Sequence, residues 1–220
     1  MDGELRKAWQ EIITAEDYDQ HMATVGQAEA NALLVRDLIV NSSLPPDGRI
    51  LFAGAGTGQM FDFVDPEFLA TWQVTFTDLN QGYLDKLQLR LSASSVRFVC
   101  QVDDIENTSL RGPFDLIVLV LVLEHVKWQR ALNQMVGLNT QSFLIVTQQN
   151  PPEFSSGVTP GRTLPPSIEL ASKTAVSHLL DKAELVDFLQ SLGFEPVKED
   201  NRPVLDNKIM RGIVFKRAIL

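Results

Sequence analysis

Residues Arg49-Ile-Leu-Phe-Ala-Gly54-Ala-Gly56-Thr-Gly58-Gln-Met60 join a short apolar run to three glycines at alternate positions. Glycines so placed let the chain turn tightly and bring backbone against a ligand with no Cβ between. Two phosphate-binding patterns come close, and neither fits. A dinucleotide loop reads G-x-G-x-x-G, but Gln59 stands where its third glycine belongs. A G-x-x-x-x-G-K-[ST] loop needs a lysine, and none follows Gly58. What remains is a nucleoside-like ligand that wants close backbone approach without a pyrophosphate cradle. Asp78 closes the next apolar run, 20 residues beyond Gly58, and could accept from both hydroxyls of a ribose. Asp103-Asp104-Ile105 follows the third run. A carboxylate there could accept from the exocyclic amine of adenine while Ile105 packs on the ring.

His125, beside Glu124 after the fourth apolar run, is the one general base expected, because imidazole titrates near neutral pH. His21 and His178 are weaker candidates. Three scattered histidines and a single cysteine, Cys100, form no metal-ligand spacing, so no metal site is expected. Cys100 is expected to be a buried strand residue.

The elements that must position these groups alternate along the chain. Strands are expected at Arg49–Ala53, Trp72–Thr77, Val96–Cys100, Phe114–Val120 and Ser142–Thr147, nearly continuous in Val, Ile, Leu and Phe. Such runs suit a parallel sheet covered on both faces. Helical spacing marks Ala28–Val40, Asn80–Leu91, Glu124–Leu138 and Lys182–Leu192, the last capped by Gly193. Phe194–Lys198 and Ile209–Lys216 read as a terminal β-hairpin on the sheet edge. Residues 150–166 contain prolines 151, 152, 160, 165 and 166 and read as a long irregular loop.

Composition sets outer bounds. The 220 residues are 45% hydrophobic and 21% charged, long enough for a two-sided core without disulfides. The net charge of −9 argues against coating nucleic acid or an anionic membrane. Met1–Gln10 lacks the apolar stretch of a signal peptide, and the longest apolar run, Leu116–Leu123, is too short to span a bilayer. A cytoplasmic setting is the expectation.

Ile50–Gly58, Thr77-Asp78, Asp104-Ile105, Phe114-Asp115-Leu-Ile-Val, Leu123-Glu124-His125-Val126 and the tail Leu179–Phe194 together resemble the class I S-adenosylmethionine-dependent methyltransferases. The resemblance spans roughly residues 18–217. It implies an α/β, Rossmann-like, seven-stranded, mostly parallel sheet with helices on both faces and a C-terminal antiparallel hairpin. It also implies S-adenosyl-L-methionine as cofactor. The expected contacts are Ala53, Gly54, Ala55, Gly56 and Gly58 for its methionine part, Asp78 and Leu79 at the ribose, Asp104 and Ile105 at the adenine, and Val120. Tyr18, in Asp17-Tyr18-Asp19, resembles a Tyr-Asp pair that lies near the methionine end in many members. The whole chain, 1–220, is expected to be one methyltransferase-like domain with an N-terminal helical cap (about 1–27) and the Pro-rich loop 150–166. The acceptor would be a small molecule entering between the N-terminal segment at about Tyr18–Gln27 and the Pro-rich loop after Asn150, with no nucleic-acid or membrane partner. The oligomeric state is left open.

The chain departs from the family at Phe52, where members carry an acidic residue that helps hold the loop and the cofactor's ammonium. That departure keeps a non-catalytic cofactor-binding protein open as an alternative, and a nicotinamide-dependent oxidoreductase is the other. Asn150-Pro-Pro-Glu153 resembles an Asn-Pro-Pro-aromatic motif of enzymes that methylate amino groups in nucleic acid. It follows the fifth strand rather than the fourth, and Glu153 replaces the aromatic, so it is read as a strand-ending turn.

Overall fold

A computed structural model describes residues 3–152, 163–174 and 178–218. Seven strands form one sheet: β1 (Arg49–Ala53), β2 (Gln73–Asp78), β3 (Arg97–Val102), β4 (Leu116–Val120), β5 (Ser142–Gln149), β6 (Phe194–Pro203) and β7 (Ile209–Arg217). Their order is β3-β2-β1-β4-β5-β7-β6. The first five run parallel, and β7 pairs antiparallel with both β5 and β6. Strand order reverses between β1 and β4, and ligands of open α/β sheets bind beyond the carboxyl ends of the strands at such a point.

Alternate side chains of each strand feed two cores. Ile50, Phe52, Val74, Phe76 and Val118 pack under α3 (Gln27–Val40) and α4 (Gln81–Leu91). Leu51, Ala53, Ile117, Leu119 and Phe143 pack under α5 (Trp128–Gly137) and α7 (Lys182–Ser191). Helices therefore cover both faces, which is why the strands are nearly continuous in apolar residues.

A third apolar cluster lies over the strand ends. It joins Ala8 and Ile13 of the N-terminal arm to Tyr83 of α4 and to Ile168 and Ala171 of α6 (Pro166–Ser172). The arm is α1 (Gly3–Lys7), a π-helical turn at Ala8–Ile12, and α2 (Ala15–Val25). Thr14 caps α2 by accepting from the Asp17 N–H at 3.2 Å. Gly26, with φ of 69°, ends it and turns the chain into α3.

Four sequence expectations need correction. The helix expected over Glu124–Leu138 is a 3₁₀ turn at Leu123–His125 followed, after an extended Val126, by α5. Strand β6 runs five residues past its expected end at Lys198, because pairing with β7 holds an edge segment that has no apolar pattern of its own. Cys100 is half-buried rather than buried, since β3 is an edge strand. Helix α6 begins inside the segment expected to be loop, with Pro166 at its first turn. Residues 153–162 of that expected loop lie outside the described residues.

Candidate active site

The cleft is built around the carboxylate at the end of β2. Asp78 Oδ2 accepts from the Gly56 N–H at 2.9 Å, and Oδ1 accepts from the Asn80 N–H at 3.0 Å. Each oxygen keeps a further lone pair for a ligand hydroxyl. Burial pushes the Asp78 carboxyl up to about 6, against the pull of the Asn80, Gly56 and Leu79 backbone N–H groups. Asn80, not Asp78, caps α4, accepting from the Gly82 N–H at 2.9 Å. Its amide nitrogen donates to the Trp9 carbonyl of the arm at 3.0 Å.

The glycine loop is shaped by what surrounds it. Gly54 has φ of +71°, and a Cβ there would sit 2.5 Å from Val122 Cγ2. Gly56 has φ of +59°, and a Cβ there would crowd the Tyr18 ring at 3.3 Å. Both conformations favour glycine, and both leave bare backbone facing the cleft. Leu121, just past β4, also adopts positive φ, 56°. For a leucine that is a strained conformation, of the kind that collects at functional sites.

Arg90 fastens the loop from below. It donates to the Thr57 carbonyl at 2.6 Å, to Asp19 of α2 at 2.6 Å, and to both oxygens of Asp62 at 3.0–3.2 Å. The Thr57 hydroxyl also bonds Asp19, and Lys86 pairs with it at 2.8 Å. Loop, α2 and α4 are thereby one unit.

The arm roofs the cleft. Tyr18 stacks on Tyr83 with centroids 5.4 Å apart, and Trp9 meets Tyr18 edge-on at 5.7 Å. Burial, with the nearby charges of Asp78 and Asp19, pushes the Tyr18 phenol well above its usual range. The Tyr83 hydroxyl donates to the Ile13 carbonyl at 3.0 Å. Arg6 of α1 forms an ion pair with Asp104. Helix α6 joins the roof through the Ser167 N–H, which donates to Asp17 at 2.7 Å.

Opposite the roof lies a polar floor. Glu124 Oε1 accepts from the Gln148 N–H at 2.8 Å, and the Gln148 side chain accepts from Gln27 of α3 at 2.6 Å. Burial pushes the Glu124 carboxyl up to about 8, against the opposing effects of the Gln148 N–H and Lys208. His125 faces Trp9 edge-on at 4.7 Å, and its Nδ1 is buried with no hydrogen-bond partner. Burial, and then His178, hold its pKa down to about 4, so the imidazole is neutral at pH 7.

These groups enclose a cavity of about 200 Å³, lined by Tyr18, Gly54, Gly56, Asp78, Leu79, Ile105, Val120 and His125 among others. A smaller cavity of about 60 Å³ lies behind the glycine loop and takes in Ala53, Ala55 and Gly58. The structure thus brings together eleven of the twelve expected residues. The exception is Asp104. Its neighbour Asp103 lines the cavity, held by bonds from the Thr108 hydroxyl and the Ser109 N–H, while Asp104 turns to Arg6. Sequence reasoning did not find Trp9, Gln27, Asn31, Glu124 or Gln148 as cleft residues. Gln27 and Asn31 did carry a signal, as two polar residues four apart within the apolar stripe of α3.

A family model described as a methyltransferase domain matches residues 51–141, from β1 through the end of α5. Over those residues the chain is similar to a methyltransferase domain. A stretch of 105 residues, 46% of this chain, is 32% identical to malonyl-[acyl-carrier protein] O-methyltransferase of Magnetococcus marinus. That stretch is 37% of the relative, so the match spans little more than a third of its length. Two solved structures share the fold of the methyltransferase domain. Magnesium protoporphyrin IX methyltransferase of Synechocystis PCC 6803, with bound S-adenosylhomocysteine, aligns at a TM-score of 0.60 and 14% identity over 92% of this chain and 84% of its own. The 1,6-didemethyltoxoflavin-N1-methyltransferase of Burkholderia thailandensis, with 1,6-didemethyltoxoflavin and S-adenosylhomocysteine bound, gives 0.60 and 18% over 93% and 87%. No helix among the described residues is long and apolar enough to cross a membrane, and no group of three His, Cys, Asp or Glu among them is placed to hold a metal ion.

Proposed function

We propose that this methyltransferase domain transfers a methyl group from S-adenosylmethionine to a small, uncharged acceptor. The observation that carries the reading is Asp78. It is a half-buried carboxylate at the end of β2, the strand next to β1, oriented by the Gly56 and Asn80 N–H groups and open toward the cavity. Its remaining lone pairs would take the ribose hydroxyls. Leu79 and Ile105 would flank the base, and the bare backbone at Gly54 and Gly56 gives room for the rest of the molecule. The residues present therefore fit the cofactor. The bound sulfonium supplies the activated methyl group, so the protein's task is to align the acceptor and keep water out.

The acceptor side supports an uncharged molecule. Among the described residues no Lys or Arg lines the larger cavity, whereas Asp78, Asp103 and Glu124 do. A free carboxylate there would have no cation to pair with and a carboxyl beside it. Neutral His125 Nδ1 instead suits an acceptor that presents an O–H or N–H. With a pKa near 4 it is a weak base, so its role is to orient that group and receive a hydrogen bond from it. His125→Phe is expected to lower kcat/KM roughly 3–10-fold, the worth of one neutral hydrogen bond. S-adenosylhomocysteine affinity should stay unchanged. Equal turnover in the variant would remove His125 from the acceptor site.

The same carboxylate sets a pH dependence. Ribose hydroxyls donate to the ionised form of Asp78, whose pKa in the unliganded protein is about 6. Affinity should be flat above pH 7 and fall toward tenfold per unit below about pH 6. Calorimetry from pH 5 to 8 checks this, and affinity that rises on acidification contradicts it. The reading as a whole is tested by titrating the purified chain with S-adenosylmethionine and S-adenosylhomocysteine, then following S-adenosylhomocysteine release with neutral hydroxy- and amino-heteroaromatics. If neither ligand binds, the proposal fails. Binding without turnover on any acceptor would favour a cofactor-holding protein, the alternative that Phe52 keeps open.

A further inference from the structure

Asn31 is the one polar side chain of α3 that the fold buries and leaves unsatisfied. It is 6% exposed, and its Oδ1 meets no hydrogen-bond donor. One turn earlier on the same face, Gln27 is satisfied by Gln148 at 2.6 Å. An orphaned buried acceptor costs about 1–3 kcal/mol, so it persists where something outside the fold supplies the donor. Asn31 lines the smaller cavity, opposite the loop backbone at Ala55 and Gly58 and beside apolar Val35, Phe52 and Val118.

The two cavities are neighbours. Tyr18, Met22, Gly54, Val120 and Leu121 line both, so one elongated ligand can reach from Asp78 into the smaller one. S-adenosylmethionine is such a ligand. With its ribose at Asp78 and its base toward Leu79 and Ile105, the amino-acid end is left for the space behind the glycine loop. That end carries an α-ammonium, a cation with three N–H donors. Strand β1 offers it no counter-charge, because Phe52 is 4% exposed and packed on Phe76 at 5.1 Å.

We propose that Asn31 Oδ1 receives an N–H of the ligand's α-ammonium, so that a neutral amide on α3 anchors the end for which β1 supplies no acid. This rests on the cofactor reading above. It also makes Asn31, rather than any residue of the glycine-loop strand, the determinant that separates ligands with an amino-acid end from plain nucleosides.

Calorimetry with two probes tests it: S-adenosylhomocysteine, and 5′-methylthioadenosine, which lacks the amino-acid end. In Asn31→Leu, S-adenosylhomocysteine should bind at least about tenfold more weakly, the worth of a hydrogen bond to a charged group. Binding of 5′-methylthioadenosine should stay within about twofold of wild type. In Asn31→Asp, a carboxylate faces the ammonium, and S-adenosylhomocysteine should bind more tightly, with an advantage that shrinks in salt. Wild-type affinity for S-adenosylhomocysteine in Asn31→Leu would overturn the proposal. So would equal loss of both probes, which marks a structural role. If the wild-type chain binds neither probe, the cofactor reading itself falls. If it binds both and the leucine variant does not discriminate between them, only the role of Asn31 falls.

Discussion

Asp78→Ala is expected to weaken binding of S-adenosylmethionine roughly 10–150-fold, equivalent to about 1.5–3 kcal/mol for a lost hydrogen bond to a charged group. The direct loss is the acceptor for the ribose hydroxyls. An indirect loss adds to it. The same carboxylate holds the Gly56 N–H at 2.9 Å and the Asn80 N–H at 3.0 Å, so alanine frees the centre of the glycine loop and the start of α4 together. Both the amino-acid and the nucleoside ends of the ligand should suffer, unlike the selective loss expected at Asn31. Titration of the variant with S-adenosylhomocysteine and 5′-methylthioadenosine should show parallel weakening. Unchanged affinity would mean that the ribose sits elsewhere.

Arg90→Ala is expected to destabilise the fold by roughly 2–3 kcal/mol, because it breaks a largely buried ion pair and strands the Thr57 carbonyl. For a chain of this size that lowers Tm by roughly 5–10 °C. The guanidinium is 16% exposed and contacts three separate parts of the chain: the glycine loop, the turn carrying Asp62, and α2. Lys86 still pairs with Asp19 at 2.8 Å and limits the damage at that carboxylate. Arg90→Lys should recover only part of the loss, since one ammonium cannot span partners that the planar fork reaches together. A thermal melt within about 1 °C of wild type would show that the loop is held by its own backbone rather than by Arg90.

The scaffold was largely legible from residue order. Strand β1 falls at Arg49–Ala53 as expected, and Asp78 ends β2 as expected, because parallel strands buried on both faces write themselves as apolar runs. Legibility failed where a residue's role is decided by partners distant in sequence. Asp103 and Asp104 are chemically identical neighbours. Thr108 and Ser109 hold the first, and Arg6, 98 residues away, takes the second. Glu124 and His125 read as the start of a helix, yet Gln148 fixes one in the floor while the other turns into the cleft. Strand β6 carries Glu195, Lys198, Glu199 and Asp200, an edge composition that matches no strand pattern until β7 is beside it. At Asn31 a polar residue in an apolar stripe was visible, but only its unmet oxygen distinguishes it from the satisfied Gln27.

The arm and α6 lie over the cleft like a door. Tyr83 to Ile13, Asn80 to Trp9, Ser167 to Asp17 and the Arg6–Asp104 pair are few and polar, and they lie above an aromatic seal of Trp9, Tyr18 and Tyr83. Helices α1 and α2 meet at Ile13–Thr14, where the backbone is extended, a natural pivot. On the function proposed above, donor entering or leaving the cleft would pass the arm. The tempo of the catalytic cycle would then be kept by a swinging peptide segment, with the sulfur-to-acceptor displacement a brief event between two openings.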